Sequence, residues 1–267
     1  MPESSIKRKL RNLIRDNKII PFIGAGFSRC LKLPDWSGLI DIIARQLDFD
    51  PFVFKSNGNF LQLAEYYTII KPSIGRLLMQ LIRQLNPSDK IILSSNAHMA
   101  LVDLKFSLIY TTNYDDILER AHRLKKKKVQ KIIGINDILV NTKSDLQIVK
   151  FHGDLTDANS IILTESSYFE RLNFEHPLDI KLRSDILGKK LLFMGYSLSD
   201  MNIRYMFYKL HNIRKLSENI RDDIAAFMVG FSIGEVQKQL LRKWNIAVIE
   251  LDPVNKSRSI YRFLEGL

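Results

Sequence analysis

The chain of 267 residues has a single cysteine, Cys30. That excludes an intramolecular disulfide and any zinc site built from several thiolates. Its five histidines show no HExxH or comparable spacing, so no metal is expected. No apolar run approaches the roughly 20 residues of a membrane helix. The opening MPESSIKRKLRNLIRDN is too polar for a secretory leader. A cytoplasmic protein without membrane contact is the expectation. Glycine-, serine- or proline-rich linkers and internal repeats are absent, so residues 1–267 read as one domain. The GxSxG elbow, the P-loop lysine motif and the kinase signatures are also missing. Acidic residues are in deficit, 29 against 40 basic ones, for a net charge of +11. Such a balance suits an anionic partner: nucleic acid, an anionic cofactor or an acidic protein.

What is present is an alternation of strands and helices. Ile6, Leu10, Leu13 and Ile14 recur at helical spacing. Short apolar runs read as strands at KIIPFIG (18–24), FSLIYTTN (106–113), LQIVKFHG (146–153), GKKLLFMGYS (188–197), DIAAFMVG (223–230) and IAVIEL (246–251). SIILT (160–164) reads as a further short strand leading to the helix SSYFERL. Helical patterns follow at DWSGLIDIIARQL (35–47), YDDILERAHRL (114–124), LSDMNIRYMFYKLHNI and IGEVQKQLLRKW. Residues 59–104 are helical in pieces, broken near Pro72 and Pro87. The reading is an α/β fold, a Rossmann-like parallel sheet flanked by helices, with a helical insertion at about 36–104 after the first strand. Strands apolar throughout fit burial on both faces.

Ligands of such sheets bind beyond the carboxyl ends of the strands. Four motifs stand there. Gly24-Ala25-Gly26-Phe27-Ser28 is half of a dinucleotide fingerprint, or simply a tight turn; Arg29 occupies the place of the third glycine. Thr111-Thr112-Asn113-Tyr114-Asp115 offers an amide that both donates and accepts; alternatively Thr112 or Asn113 caps the next helix, with Asp115 and Asp116 in its first turn. Phe151-His152-Gly153-Asp154 holds the only histidine at a strand end, placed for acid–base work. Gly195-Tyr196-Ser197-Leu198-Ser199-Asp200 is a second glycine-containing strand end, with Ser199 a candidate helix cap. The remaining histidines (98, 122, 176 and 211) read as structural or solvated.

The ordered set GAGFS, TTNYD, FHGD and GYSLSD resembles the sirtuin superfamily, and more closely the bacterial sirtuin-like NAD-cleaving domains of antiphage defence systems. Trp36 and the stretch LTESSY (163–168) fit the same pattern, the latter without an assigned role. The resemblance spans roughly residues 15–250. It implies NAD as substrate, Asn113 and His152 as the catalytic pair, and a cofactor site lined by Gly24, Ala25, Gly26, Ser28, Asp115, Gly195, Ser197 and Asp200. Protein-deacylating sirtuins hold a zinc with four cysteines and usually read TQNID. This chain has one cysteine and TTNYD, which favours NAD hydrolysis to nicotinamide and ADP-ribose. Protein deacylation is the alternative enzyme reading. A non-catalytic NAD- or ADP-ribose-sensing or DNA-associated subunit is the alternative of another class.

A neutral His152 near its ordinary pKa of about 6.5 would accept a proton, directly or through a ribose hydroxyl. An unrestrained NADase would exhaust its own cell. The chain ends soon after the sirtuin-like region, so control is expected from homo-oligomerisation and a separately encoded sensor or ATPase, with a HerA-type ATPase suspected. The dense run RLKKKKVQK (123–131), with Lys125, Lys126, Lys127 and Lys128, reads as a solvated loop or a partner contact.

Overall fold

The computed structural model describes residues 3–140, 142–173, 175–196, 201–215 and 224–267. Seven strands form one sheet: β1 (Ile19–Ile23), β2 (Leu108–Thr111), β3 (Val129–Ile132), β4 (Leu146–Lys150), β5 (Lys190–Met194), β6 (Ala226–Phe231) and β7 (Ile246–Leu251). Their order is β3-β4-β2-β1-β5-β6-β7, and every pairing is parallel. β1, β2 and β5 are buried at every position, which is why they read as unbroken apolar runs. Pro21 is tolerated in central β1 for a local reason. Ile23 O accepts from Thr112 N, so Pro21 turns its missing donor toward β2, and the β2 pairing begins only at Phe22.

The helices are α1 (Glu3–Arg15), α2 (Ala25–Ser28), α3 (Trp36–Gln46), α4 (Pro51–Lys55), α5 (Phe60–Ile70), α6 (Gly75–Gln84), α7 (Asp89–Leu93), α8 (Asn96–Asp103), α9 (Ile117–Leu124), α10 (Ile135–Leu139), α11 (Glu165–Phe169), α12 (Pro177–Asp185), α13 (Met201–Lys215), α14 (Glu235–Lys243) and α15 (Lys256–Glu265). On one face of the sheet Leu10, Leu101 and Phe263 pack against Ile23, Ile109 and Leu192. On the other, Leu182, Phe207 and Leu241 pack against Phe22, Tyr110 and Phe193. Phe22 is the hub of that second layer, stacked on Tyr110 at 5.7 Å, tilted against Phe193 at 5.1 Å and edge-on to Phe151 at 5.5 Å.

α3 to α8 all fall between β1 and β2, as the periodicity of 36–104 predicts. Asp35, Asp50 and Asn59 start three of them by accepting backbone N–H groups, the last in a full capping box. These helices build a cluster of their own around Ile40, Ile43, Phe54, Tyr67 and Leu77. Tyr114 and Leu163 join it from the sheet side. The sequence reading fails in three places. SIILT forms no strand: its first residue ends a 3-10 turn (Ala158–Ser160), and Ile162 N donates to His152 O. The run 123–131 is not all loop, because its end enters the edge strand β3. α10, α12 and α15 lie in segments to which no element was given. Among the described residues no helix is long and apolar enough to cross a membrane.

Candidate active site

The four motif-bearing strands, β4, β2, β1 and β5, are neighbours in the sheet. The chain starts at β1, builds outward on one side and then crosses to β5, so the strand order reverses there. That reversal opens a crevice at the carboxyl ends.

At the end of β1, Gly24 N donates to Met194 O and Gly26 N to Gly195 O, both at 2.9 Å. A Cβ on Gly24 or on Gly26 would stand 2.7 Å from Gly195 O. One on Gly195, at φ +80°, would stand 2.4 Å from Phe27 N. The three glycines therefore interlock two strand ends, and the Gly26 amide is occupied within the protein. This supports the tight-turn reading for Gly26. Ala25 and Ser28 face the crevice. Arg29, in the place of the third glycine, is exposed and paired with Asp35 at 2.8 Å.

At the end of β2, Thr111 is the last strand residue and not part of the loop. Its hydroxyl donates to Ile23 O at 2.9 Å and accepts from Asn113 N at 3.0 Å. Asn113 Nδ2 donates to Ser28 Oγ at 3.0 Å. Asn113 Oδ1 is buried and has no hydrogen-bond donor among the described residues. An acceptor buried that way is costly unless a ligand or water supplies the donor. Neither Thr112 nor Asn113 caps the following helix. Asp116 is the N-cap residue of α9 without a side-chain bond, and Asp115 Oδ1 accepts from Ile117 N. Thr112 Oγ1 instead lies 3.0 Å from the hydroxyl of Tyr196, which also donates to Ile23 O. The cleft over Asn113 encloses about 40 Å³. Ala25, Ser28, Trp36, Thr112, Asn113 and Asp115 line it, with Leu81 and Leu85 of the helical segment.

Register puts His152 level with Asn113 on the neighbouring strand: Thr111 pairs with Lys150, and Phe151 N donates to Thr111 O at 2.7 Å. His152 is buried and outside the lining of the small cleft. Its Nδ1 lies 3.1 Å from Tyr168 Oη, with the rings edge-to-face at 5.1 Å. Burial, and secondarily the Arg171 guanidinium, lower its pKa to about 3. The expectation of an ordinary imidazole is thereby corrected. The ring is neutral far below pH 7 and a weak base. Gly153 turns the chain at φ +92°, where a Cβ would lie 2.1 Å from Ser160 O.

Beneath both ends lies a charged floor that the sequence reading missed. Lys150, fully buried, is paired with Glu119 and Asp154 at 3.4 Å each and donates to Asp115 O. Lys131 holds Asp154 from the other side at 2.9 Å. Burial raises the Asp115 carboxyl to about 6, against the opposing pull of Lys150 and the Ile117 N–H. A larger cavity of about 310 Å³ opens on the other side of Tyr114 and Asp115, with Glu119, Arg123, Lys131 and Thr156 in its wall.

Ser197 and Asp200, with Ser199, lie outside the described residues. His98 Nδ1 is bonded to Ser95 Oγ, His122 Nδ1 to Leu118 O, and His176 caps α12. Cys30 is half-buried and its thiol is raised by burial, unlike an activated nucleophile. Among the described residues no group of three or more His, Cys, Asp or Glu side chains is placed to hold a metal ion.

The SIR2-like domain family matches residues 107–249, which include Asn113, His152 and Gly195. Over 209 residues the chain is 30% identical to a protein named NAD(+) hydrolase ThsA of Cytobacillus dafuensis, covering 78% of this chain and 41% of that one. A protein of the same name from Bacillus cereus (strain MSX-D12) is 27% identical over 279 residues, 99% of this chain and 57% of the relative. Defense-associated sirtuin 2 of Bacillus subtilis is 27% identical over 218 residues, 77% of this chain and 20% of that protein. The chain thus spans between 20% and 57% of the length of these relatives.

Proposed function

The chain belongs to the SIR2-like domain family, and from that premise we propose that it hydrolyses NAD+ to nicotinamide, ADP-ribose and a proton. The carrying observation is the bare, buried Asn113 Oδ1 at the switch point, level with a neutral His152 on the next strand. Nicotinamide is a positively charged leaving group, so the bond to ribose breaks toward an oxocarbenium-like cation. The protein has to orient the ribose, exclude water in bulk and admit one water to the anomeric carbon. Asn113 Oδ1 accepts a hydrogen bond from a ribose hydroxyl or from the attacking water. His152, neutral, supplies a second hydrogen bond from the adjacent strand end. Gly24, Ala25, Gly26, Ser28, Asp115 and Gly195, with Ser197 and Asp200, line the cofactor site in this reading.

A cleft of about 40 Å³ does not admit a dinucleotide, since small-molecule sites typically enclose about 300–1,000 Å³. The rest of the dinucleotide then lies beyond it, toward Gly195 or toward the cavity of about 310 Å³ that shares Leu85, Tyr114 and Asp115. In this reading the protein is cytoplasmic, depletes NAD as the effector of an abortive-infection type of antiphage defence, and uses no metal. Homo-oligomerisation and a separately encoded sensor or ATPase, of HerA type, control it.

The test is product analysis by chromatography after incubation of the purified chain with NAD+ over a wide protein concentration range, beside Asn113→Ala and His152→Ala. Release of nicotinamide and ADP-ribose that both variants lose is the expected result. Release that survives in both variants overturns the assignment.

A further inference from the structure

Because every strand runs the same way, all seven amino ends meet at one edge, opposite the cleft. Along the contiguous strands β1, β2, β4 and β3 that edge carries Lys18, Lys105, Lys143 and the run Lys125, Lys126, Lys127 and Lys128. All are exposed except half-buried Lys127, and none has an ion-pair partner among the described residues. Acidic groups are few there. Asp16 is taken by Arg15, Asp145 accepts from the Lys128 backbone, and Asp103 remains. On the other half of the edge the cations are sparser: Lys190 donates to Ile224 O, Arg242 pairs with Glu235, and Lys243 is exposed.

Helix dipoles explain one cation near each helix end, and α9 already has His122 and Arg123 in its last turn. They do not explain four consecutive lysines beyond it. Nor do they explain the backbone at Lys105 and Lys126, which stand at φ 53° and 60°. These are left-handed positions where glycine sits without strain. Lys32, Asn17, Asp48, Ser232 and Asn245 share that conformation, so the density of unpaired cations among the described residues, and not the backbone, marks this edge.

We propose that this edge binds the phosphate backbone of double-stranded nucleic acid without sequence preference. Adjacent strands lie about 4.8 Å apart, so four of them present a cationic row on the order of 15 Å long. A duplex offers one charge per about 1.7 Å of its axis, so the row faces several phosphates at once. The entering segments hold no exposed aromatic ring, Phe106 being buried. Stacking on single-stranded bases is therefore unsupported, while phosphate contacts need only the cations. The site is independent of NAD cleavage and leaves the cleft open.

The experiment is fluorescence anisotropy of a labelled random-sequence DNA duplex titrated with the full chain, repeated with an RNA duplex and with polyglutamate. Four engaged lysines make affinity fall on the order of a hundredfold between about 50 and 200 mM salt. Lys125→Glu, Lys126→Glu, Lys127→Glu and Lys128→Glu together should weaken binding more than tenfold. The pair Lys105→Gly and Lys126→Gly should raise the melting temperature and still lower duplex affinity. No duplex binding at low salt overturns the proposal, as does affinity unchanged in either variant. Polyglutamate binding as tight as duplex binding overturns it in favour of an acidic protein surface. A preference between the DNA and RNA arms identifies the source of the duplex.

Discussion

The ends of β2 and β4 lie side by side and treat their functional groups in opposite ways. At β2, Asn113 engages its amide nitrogen with Ser28 and leaves the oxygen buried and bare. At β4, His152 has its Nδ1 on Tyr168, and Lys150, two residues earlier, is surrounded by carboxylates. One end is held open for a hydrogen bond at some cost to the fold. The other is pinned, its charge neutralised internally. An active site of this kind divides its labour between an unsatisfied group that meets the ligand and a satisfied framework that keeps it in place.

The sharpest way to break that contrast is at the framework. Lys150→Met leaves Glu119 and Asp154 buried without their shared counter-ion. Removing one partner of a buried ion pair costs about 3–5 kcal/mol, and chemical denaturation should show a loss of that order. Asn113→Ala should do the reverse. It removes a bare acceptor together with the Nδ2 bond to Ser28, so the loss of stability should stay near about 1 kcal/mol. NAD turnover should still fall about a hundred- to a thousandfold, the usual cost of losing one transition-state hydrogen bond. Stability loss in the alanine variant comparable to that of Lys150→Met would erase the distinction.

The contrast was half legible in the sequence. β1, β2 and β4 to β7 were readable as apolar runs, and both Asn113 and His152 could be placed because functional groups follow such runs. β3 was hidden, since VQKI is an edge strand alternating half-buried and buried positions at the tail of a lysine run. SIILT misled because β-branched residues favour strands only where a sheet surface is available; Leu163 packs instead on the helical cluster. The floor was invisible for another reason. A lysine that ends a strand reads as exposed, and the partners that bury it come from α9 and from a loop after β4. The pKa of His152 was likewise out of reach, because it depends on Tyr168 and Arg171 closing over the ring.

A pH titration of stability exposes that burial directly. The unfolded imidazole takes a proton near 6.5, the folded one only near about 3. Between those values the unfolded state binds one more proton, so this contribution is complete above about pH 6.5 and is lost as pH falls. The loss is about 1.4 kcal/mol per pH unit. Asp115, raised to about 6, opposes it, because its folded form binds the extra proton between about 4 and 6. His152→Gln removes the first contribution alone. Its stability should decline less steeply than that of the parent between about pH 6 and 4, by about 1.4 kcal/mol per unit. Parallel curves would mean that the ring titrates alike in both states.

The smallest effect belongs to the group that holds the ring. Tyr168→Phe keeps the edge-to-face contact and deletes only the hydroxyl on Nδ1. A single hydrogen bond of this sort is worth about 1 kcal/mol, or about fivefold in a rate. The loss should fall on kcat with KM little changed, because a ring free to turn meets the transition state less often while substrate binding through the rest of the cleft persists. The helix that carries Tyr168 is tied to the helical segment by Glu65, which accepts from both the backbone and the hydroxyl of Ser166. Glu65→Ala should therefore reproduce part of the kcat loss from the far side of the cleft. A variant with full kcat would show that the orientation of His152 is set by burial alone and owes nothing to Tyr168.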